Sequence, residues 1–524
     1  MTDDLTAEAR RRRTFAVISH PDAGKSTLTE AIALHASVID EAGAVHGKAG
    51  RRGVVSDWME MERSRGISIT SAALRFEYGD HVVNLLDTPG HADFSEDTYR
   101  VLAAVDSAVM LLDAAKGLEP QTLKLFEVCR TRGLPIVTFV NKWDRPGLEP
   151  LQLLDELVER LGIHPMPLTW PVGVAGDFRG VLDVRTGELV EFARTPGGAT
   201  LAGVQRLDPD TAKHRHGEVW ATAVEEYELL RESGHGYDQA AFLAGAATPV
   251  MFGAAVVNFG VNDLLRVLVD LAPAPGARID VDGQPRAVDT PFSGFVFKVQ
   301  SGMDAAHRDR MAFVRVCSGR FTRGMVVTHA QSGKPFATKY AQAVFGRSRE
   351  TVDHAYPGDV VGLVNAAVLR VGDSLYDEQP VTFPPIPKFA PEHFAVIRSH
   401  DPSRAKQFRR GIEQLDQEGV VQVLVSERRG AQAPVLAAVG PLQFEVVEER
   451  MRQEFSARVI LERLDYSLAR RVAPEVHADV DGRRGAEVLQ RSDGVLVAVF
   501  TDRWRLGSIA GDLPEGSLSS LLTL

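Results

Sequence analysis

The chain has 524 residues, which is too long for one hydrophobic core and predicts about three or four domains. Hydrophobic residues make up 44% and charged residues 25% of the chain, which argues against global disorder, and no apolar stretch approaches the roughly 18 residues of a membrane span. The formal net charge of -11 does not identify a nucleic-acid binder, nor does it exclude one, because local basic faces contact phosphate.

The N-terminal segment, residues 1–15, has no apolar stretch between its charges and no cleavage-like site, so we expect no secretory signal. Arg10–Arg13 is a candidate basic face, although a solvated approach to the first strand explains this run at least as well. The only two cysteines, Cys129 and Cys317, suit neither a disulfide framework nor a zinc site and are expected to be buried. Together these features predict a protein of the reducing cytoplasm that does not associate with a membrane.

The first 145 residues alternate strand and helix, which is typical of a mostly parallel α/β sheet. Residues from about 150 to 245 interrupt this pattern, and the apolar run Pro249–Ala255 is expected to return to the sheet. A Pro- and Gly-rich linker, Ala272–Gly276, then marks a boundary.

Beyond the linker, short strands with Gly-bearing turns over residues 290–376 predict a β-barrel. Alternating helices and strands over residues 403–464 then predict a split βαβ, ferredoxin-like layer. The expected fold is therefore a multidomain α/β chain. It comprises a P-loop GTPase domain (1–276, with an insertion near 150–245), a β-barrel domain (277–385) and an α+β C-terminal domain (386–524).

A phosphate-binding loop is predicted between the apolar run Phe15–Ser19 and the following helix. Ser19 replaces the usual first glycine, but the loop N–H groups and the positive end of the helix dipole still favour phosphate. Lys25 is expected to reach the β- and γ-phosphates, and the Ser26 hydroxyl to bind Mg²⁺. The predicted nucleotide-binding residues here are Ser19, His20, Pro21, Asp22, Ala23, Gly24, Lys25, Ser26 and Thr27.

A second element directly follows the apolar run at 82–86 and consists of Asp87, Thr88, Pro89, Gly90 and His91. Asp87 is placed to hold Mg²⁺ through water. Gly90 can bring its N–H close to the γ-phosphate because it has no Cβ. An ordinary strand-to-turn connection explains this peptide by itself, but its order and spacing after the phosphate loop favour a nucleotide site.

A third element follows another apolar run and consists of Asn141, Lys142, Trp143 and Asp144. A carboxylate here can accept two hydrogen bonds from the N1–H and exocyclic amine of guanine, which adenine cannot offer. The expected ligand is therefore GTP or GDP rather than ATP.

Two weaker elements complete the predicted site. Residues 65–70, Arg-Gly-Ile-Ser-Ile-Thr, offer hydroxyls for a switch segment over Mg²⁺, with Ser68 as the preferred metal ligand and Thr70 as the alternative. A plain polar loop remains another explanation of that segment. A backbone N–H on the guanine carbonyl is expected from Gly253, Ala254 or Ala255.

In these motifs the chain resembles the translational GTPases, through Asp-Thr-Pro-Gly-His at 87–91 and the switch-like segment at 65–70. Further segments are similar to the peptide chain release factor 3 family of bacteria. They are SHPDAG (19–24), SDWMEME (56–62), FSEDTY (94–99), DAAKG (113–117), FSGFVFK (292–298), HRDR (307–310), AYPGD (355–359) and GPLQF (440–444). The likeness covers nearly the whole chain and becomes loose after about Val472.

The resemblance implies a monomeric, ribosome-stimulated GTPase that uses GTP/GDP and Mg²⁺ and promotes removal of class I release factors after peptide release. The implied partners are those factors and the RNA and proteins of the large ribosomal subunit. His91 would be the catalytic residue that orients the attacking water. Pro21 and Ile67 would form an apolar gate that holds His91 back until the large-subunit RNA draws it in. Two departures from the family pattern are the lack of a hydroxyl at Ala254 and the Ser in place of Thr at Ser68.

Two other functions stay open at this point. One is a different ribosome-associated GTPase, such as a tetracycline-protection or stress factor. The other is a GTP-dependent binding module with little hydrolysis, against which the intact Lys25, Ser26, Asp87 and His91 weigh.

Overall fold

The computed structural model of the chain describes residues 2–36, 73–89, 91–193, 203–301, 310–343, 351–386, 388–426, 428–430 and 432–521. Its α-helices in these ranges are α1 (Thr2–Arg10), α2 (Lys25–His35), α3 (Ser95–Leu102), α4 (Pro120–Thr131), α5 (Pro150–Glu156), α6 (Pro209–His216), α7 (Glu218–Glu232), α8 (Gln239–Leu243), α9 (Val261–Leu271), α10 (Ala405–Glu418), α11 (Leu442–Gln453), α12 (His477–Val480) and α13 (Arg503–Gly511). Short 3₁₀ segments lie at Ala92–Phe94, Ala255–Val257, Pro402–Arg404 and Pro474–Val476, and α5 continues as a π-helical turn, Leu157–Leu161. No helix within the described ranges combines the length and apolar character needed to cross a membrane.

The N-terminal part is built on a seven-stranded sheet in the order β2-β3-β1-β4-β5-β11-β6. Its strands are β1 (Arg12–Ser19), β2 (Ala73–Tyr78), β3 (His81–Asp87), β4 (Ser107–Asp113), β5 (Ile136–Asn141), β6 (His164–Pro167) and β11 (Ala247–Phe252). All neighbours pair in parallel except β2, which forms an antiparallel hairpin with β3 around Gly79. The central strands β4 and β5 are buried along their whole length because helices cover both faces, as expected of a parallel sheet.

The segment between β6 and β11 forms a second, antiparallel sheet in the order β10-β9-β8-β7. Its strands are β7 (Thr169–Val172), β8 (Gly180–Asp183), β9 (Glu188–Phe192) and β10 (Val204–Leu207). The chain then returns to the main sheet, where β11 lies between β5 and β6. The predicted returning strand is therefore present, but it ends at Phe252, three residues before the predicted end at Ala255.

The middle part forms a second seven-stranded sheet in the order β18-β17-β22-β14-β15-β21-β19, with a separate β16–β20 pair. Its strands are β14 (Ser293–Ser301), β15 (Arg310–Ser318), β16 (Phe321–Thr322), β17 (Val326–His329), β18 (Lys334–Ala337), β19 (Ala341–Ala343), β20 (His354–Ala355), β21 (Val360–Val364) and β22 (Ser374–Tyr376). A short β12–β13 hairpin (Arg278–Ile279 and Pro285–Arg286) precedes it. The strands enclose one apolar core that includes Val296, Val314 and Leu375.

The C-terminal part has the βαββαβ order of a ferredoxin-like layer, in which the sequence predicted every element except the first strand. Strands β23 (His393–Ser399), β24 (Gln422–Val425), β25 (Val435–Ala438) and β26 (Val459–Leu464) lie in the spatial order β26-β23-β25-β24, with α10 and α11 as the two crossovers. The sequence did not reveal that β24 continues this sheet by pairing with β28. The added strands are β27 (Leu468–Val472), β28 (Ala486–Arg491), β29 (Leu496–Phe500) and β30 (Leu518–Ser520).

The arginine run near the N-terminus is divided: Arg10 and Arg11 are exposed to solvent, whereas Arg12 and Arg13 are at least partly buried and Arg12 joins the first two domains. Arg12 Nε donates a 2.8 Å hydrogen bond to Asp359 Oδ2, and both side chains are only 3% exposed. The Arg12 guanidinium also pairs with Glu8 at 2.7 Å and lies over the Tyr356 ring. Arg13 Nε donates to the Val269 carbonyl. The AYPGD segment thus contacts the first strand of the nucleotide-binding sheet.

We expect Arg12→Gln to destabilise the protein by about 3 kcal/mol, because it removes the buried ion-pair partner of Asp359 and leaves, in the described part of the chain, only Arg75, which is half-exposed and lies 3.6 Å away. The measurement is the midpoint of thermal unfolding. Arg10→Gln is the matched control, since the Arg10 side chain is exposed. An equal midpoint for the two variants would show that the buried pair contributes nothing.

Candidate nucleotide site

The three predicted nucleotide motifs meet at one edge of the main sheet. They follow β1, β3 and β5, all of which run in parallel, so their carboxyl ends lie at the same edge. In register, Val17 lies beside Asp87, and Asp113 at the end of β4 lies beside Asn141. The tertiary structure therefore brings the first motif, at residues 19–27, next to the third, at residues 141–144, although more than 100 residues separate them in the chain.

The phosphate loop depends on one glycine and on a left-handed backbone. Asp22 has φ 68° and Gly24 has φ 99°, immediately before α2 begins at Lys25. A Cβ on Gly24 would lie 2.5 Å from Asn141 Nδ2, so no other residue fits between the two motifs. Ser19, in contrast, is the buried last residue of β1, where an extended backbone accepts any side chain. This explains why serine is tolerated where the usual pattern has glycine.

Lys25 connects the phosphate loop to the second motif. Its Nζ donates to Asp87 Oδ1 at 2.8 Å and to the Thr88 carbonyl, and the Lys25 and Asp87 side chains are 6% and 2% exposed. Thr88 in turn donates from Oγ1 to the Val17 carbonyl at 2.6 Å. The ammonium group is thus already placed at the N-terminus of α2, where the phosphates of a nucleotide would lie.

Asp87 also provides the observation that fits a metal ion. Its Oδ2 is buried and, among the described residues, has no hydrogen-bond partner. A buried carboxylate oxygen without a partner is costly unless a cation or a water molecule satisfies it. This oxygen is therefore suited to a water molecule in the Mg²⁺ shell.

The third motif is locked to the first through Asn141 and Lys142. Asn141 Nδ2 donates to the Ala23 carbonyl at 2.8 Å. Lys142 Nζ donates to Asp113 Oδ2 at 2.8 Å and to the Asp22 carbonyl. These contacts hold the predicted base-binding peptide against the back of the phosphate loop.

Asp144 is the acceptor expected for guanine. Its Oδ1 is buried without a hydrogen-bond partner in the described part of the chain, and the side chain is 22% exposed. The unsatisfied oxygen fits the two N–H donors of guanine. The Trp143 side chain is fully buried and packs edge-on against Phe252 at 4.9 Å, so it contributes to the core rather than to the pocket.

The loop after β11 supports Asn141. The Ala255 N–H donates to Asn141 Oδ1 at 2.9 Å. The N–H groups of Gly253 and Ala254 donate to the carbonyls of Val140 and Phe259. Since all three N–H groups have acceptors in the structure, a bond from one of them to the guanine carbonyl would require an exchange of partners, and this contact stays a prediction.

His91 lies at the start of the segment that leads into α3. Its side chain is 34% exposed, and its Nδ1 lies 3.3 Å from Asp93 Oδ1. The other histidine of the site, His20, has its Nε2 3.1 Å from Glu119 Oε1. Both rings are partly exposed, and His91 is the one that ends the segment beginning at Asp87.

Several predicted residues lie outside the described ranges, and the structure leaves them as predictions. They are Ser68, Thr70, Ile67 and Gly90. Conversely, the sequence interpretation did not assign roles to Asp113, Glu119 or Asp93. Asp113 had a usable signal, because it ends an apolar run in the same way as Asp87 and Asn141. The contacts of Asp93 with the C-terminal domain had none, since they depend on residues almost 350 positions away.

Three family descriptions match successive parts of the chain. Residues 10–274 match the elongation factor Tu GTP binding domain, residues 291–378 match elongation factor G domain 2, and residues 383–510 match the C-terminal domain of class II release factor RF3. This succession confirms the predicted order of a GTPase domain, a barrel domain and an α+β domain.

Curated relatives are similar along nearly the whole chain. Peptide chain release factor 3 of Synechocystis sp. is 48% identical over 525 residues, which cover 99% of this chain and 96% of the relative. The protein of the same name from Symbiobacterium thermophilum is 46% identical over 517 residues, 98% of each chain. A crystal structure from Thermus thermophilus shares the fold, with a TM-score of 0.70 over 93% of this chain and 72% of that chain, at 21% identity.

Proposed function

We propose that this chain, which belongs to the peptide chain release factor 3 family and is a translational GTPase of termination, promotes dissociation of class I release factors from the ribosome after peptide release. The observation that supports the proposal is the presence, in one chain, of a GTP-binding domain and the C-terminal domain of this family. Ribosomes that have released their peptide would be the trigger for hydrolysis. Such a role would place the protein, as a monomer, with the ribosomes of the cytoplasm.

In this proposal the chain performs phosphoryl transfer mainly by positioning and electrostatics. Lys25 and the N-terminus of α2 place positive charge at the β- and γ-phosphates. Asp144 selects guanine through its unsatisfied carboxylate oxygen. His91 orients the attacking water, and contact with large-subunit RNA would bring the ring to the γ-phosphate.

Mg²⁺ completes the proposed site. Ser26 and Ser68 would bind the ion through their hydroxyl groups, and Asp87 would bind it through water. When bound, the ion neutralises the negative charge that gathers on the β- and γ-phosphate oxygens.

The test is a dissociation assay on post-termination ribosomes that carry a fluorescently labelled class I release factor. We expect this protein with GTP to accelerate loss of the label, while buffer with GTP alone does not. If GTP turnover is stimulated by ribosomes but the label stays bound, the chain is a ribosomal GTPase with another role. If ribosomes stimulate no turnover at all, it is a GTP-dependent binding module.

A further inference from the structure

Asp93, two residues after His91, lies buried between the nucleotide-binding domain and the C-terminal domain. One of its carboxylate oxygens, Oδ1, is 3.3 Å from His91 Nδ1. The other, Oδ2, accepts a 2.7 Å hydrogen bond from the backbone N–H of Leu442, the first residue of α11. One side chain therefore joins the imidazole ring to a helix N-terminus of a different domain.

The Asp93 carboxylate is closely packed against the C-terminal domain. A Cβ on Gly440 would lie 2.0 Å from Asp93 Cγ, so the glycine backbone packs directly against the carboxyl group. Beside it, Phe94 packs against Val446 in a small apolar cluster. The positive end of the α11 dipole also favours the negative charge at this point. A shift of Gly440 and Leu442 would therefore act directly on the carboxylate.

Asp93 also determines how the His91 ring is turned. The Asp93 N–H donates to His91 Nδ1 at 3.3 Å, in addition to the nearby Oδ1. In the neutral ring with Nδ1 as acceptor, the ring proton lies on Nε2; in the protonated ring, Nδ1 can donate to Oδ1. In these two forms Nε2 carries a hydrogen that can be donated to the attacking water. In the neutral ring with its proton on Nδ1, which can donate to Asp93 Oδ1, Nε2 instead accepts a hydrogen bond from that water.

We propose that Asp93 is a positioning residue that couples the orientation of His91 to the placement of the C-terminal domain on the GTPase domain. The proposal rests on the proposed catalytic role of His91. When the C-terminal domain shifts, Gly440 and Leu442 displace the carboxylate, and the ring that contacts it turns with it. A movement in one domain thereby reaches the hydrolytic site of another through a single side chain.

Asp93→Asn and Gly440→Ala test this coupling from its two sides. The first removes the charge at nearly constant size, and the second inserts a methyl group where the carboxyl group lies. Glu96→Gln is the matched control, because Glu96 is an acidic residue of α3 that also contacts the C-terminal domain, at Phe389 N (2.9 Å) and Gln422 Nε2 (3.2 Å). Glu96 pairs with Arg100 rather than with the histidine.

The direct readout is the ring resonance of His91 in protein labelled with ¹³C at histidine Cε1, assigned by its absence in His91→Ala. We expect the resonance to shift in Asp93→Asn and in Gly440→Ala but not in Glu96→Gln, even where all three lower the midpoint of thermal unfolding. We also expect the first two variants to lower ribosome-stimulated kcat by about tenfold at unchanged GTP affinity.

Two results would overturn the coupling: an unmoved His91 resonance in both Asp93→Asn and Gly440→Ala, or an equal shift in Glu96→Gln. A different result would count against the catalytic role that the proposed function gives to His91. If His91→Ala itself hydrolysed GTP normally on ribosomes, the catalytic role of His91 would fail, while the resonance would still report whether Asp93 positions the ring.

Discussion

His91→Ala is expected to lower ribosome-stimulated GTP turnover by about two to three orders of magnitude while GTP affinity stays close to that of the unchanged protein. The imidazole ends the Asp87–His91 segment and contacts Asp93 through Nδ1, while the phosphates and the base are predicted to be held by other residues. Its removal therefore takes away an interaction with the attacking water and leaves the binding contacts intact. Single-turnover hydrolysis with post-termination ribosomes, together with GTP affinity measured separately, checks both parts.

The matched control for this variant is His400→Ala, since the His400 side chain is exposed and distant from the site in the fold. It should turn over GTP at the normal rate. If His91→Ala kept near-normal stimulated turnover, the assignment of the water-orienting role to His91 would be wrong. A large loss of GTP affinity would instead show that His91 helps to bind the nucleotide.

Asp144→Asn is expected to weaken GTP binding by about a thousandfold and to make xanthosine triphosphate the preferred nucleotide. The buried Asp144 Oδ1 fits a guanine N–H donor. An asparagine amide places an N–H opposite the exocyclic amine of guanine, so two donors face each other. Xanthine has a carbonyl at that position, which accepts this N–H while the asparagine oxygen accepts from N1–H.

Competition binding with GTP and xanthosine triphosphate measures this change in nucleotide preference. Asp155→Asn, at an exposed position of α5, is the control and should leave GTP affinity unchanged. Restored turnover of Asp144→Asn with xanthosine triphosphate on ribosomes would show that only base selection was altered. Unchanged GTP affinity in Asp144→Asn would exclude Asp144 as the guanine acceptor.

The two experiments separate the two halves of the site. Asn141 and Lys142 tie the base-binding peptide to the phosphate loop, so a change at Asp144 should affect binding before hydrolysis. His91 instead belongs to a segment that contacts the C-terminal domain through Asp93 and through Arg100, whose guanidinium donates to the carbonyls of Glu418 and Gly419. We therefore expect changes in the C-terminal domain to affect hydrolysis more than nucleotide binding.

The order of the domains and most of the nucleotide pocket could be predicted from the sequence because they depend on local patterns. An apolar strand, a polar loop and a helix follow one another within about 20 residues at each motif, and parallel strands bring such loops to one edge. The same reasoning found the ferredoxin-like order of the C-terminal domain. It did not extend past Leu464, where β27 and β30 pair with each other although more than 40 residues separate them, and β28 pairs with the distant β24.

By itself, the sequence predicted which residues bind phosphate and guanine, since their spacing and residue types are typical of that chemistry. Only the tertiary structure decided that Arg12 is an interdomain ion pair with Asp359 and that Asp93 connects His91 to Gly440 and Leu442. Each of these contacts joins residues almost 350 positions apart. No local periodicity records such a pairing, because it exists only once separately folded domains pack against each other.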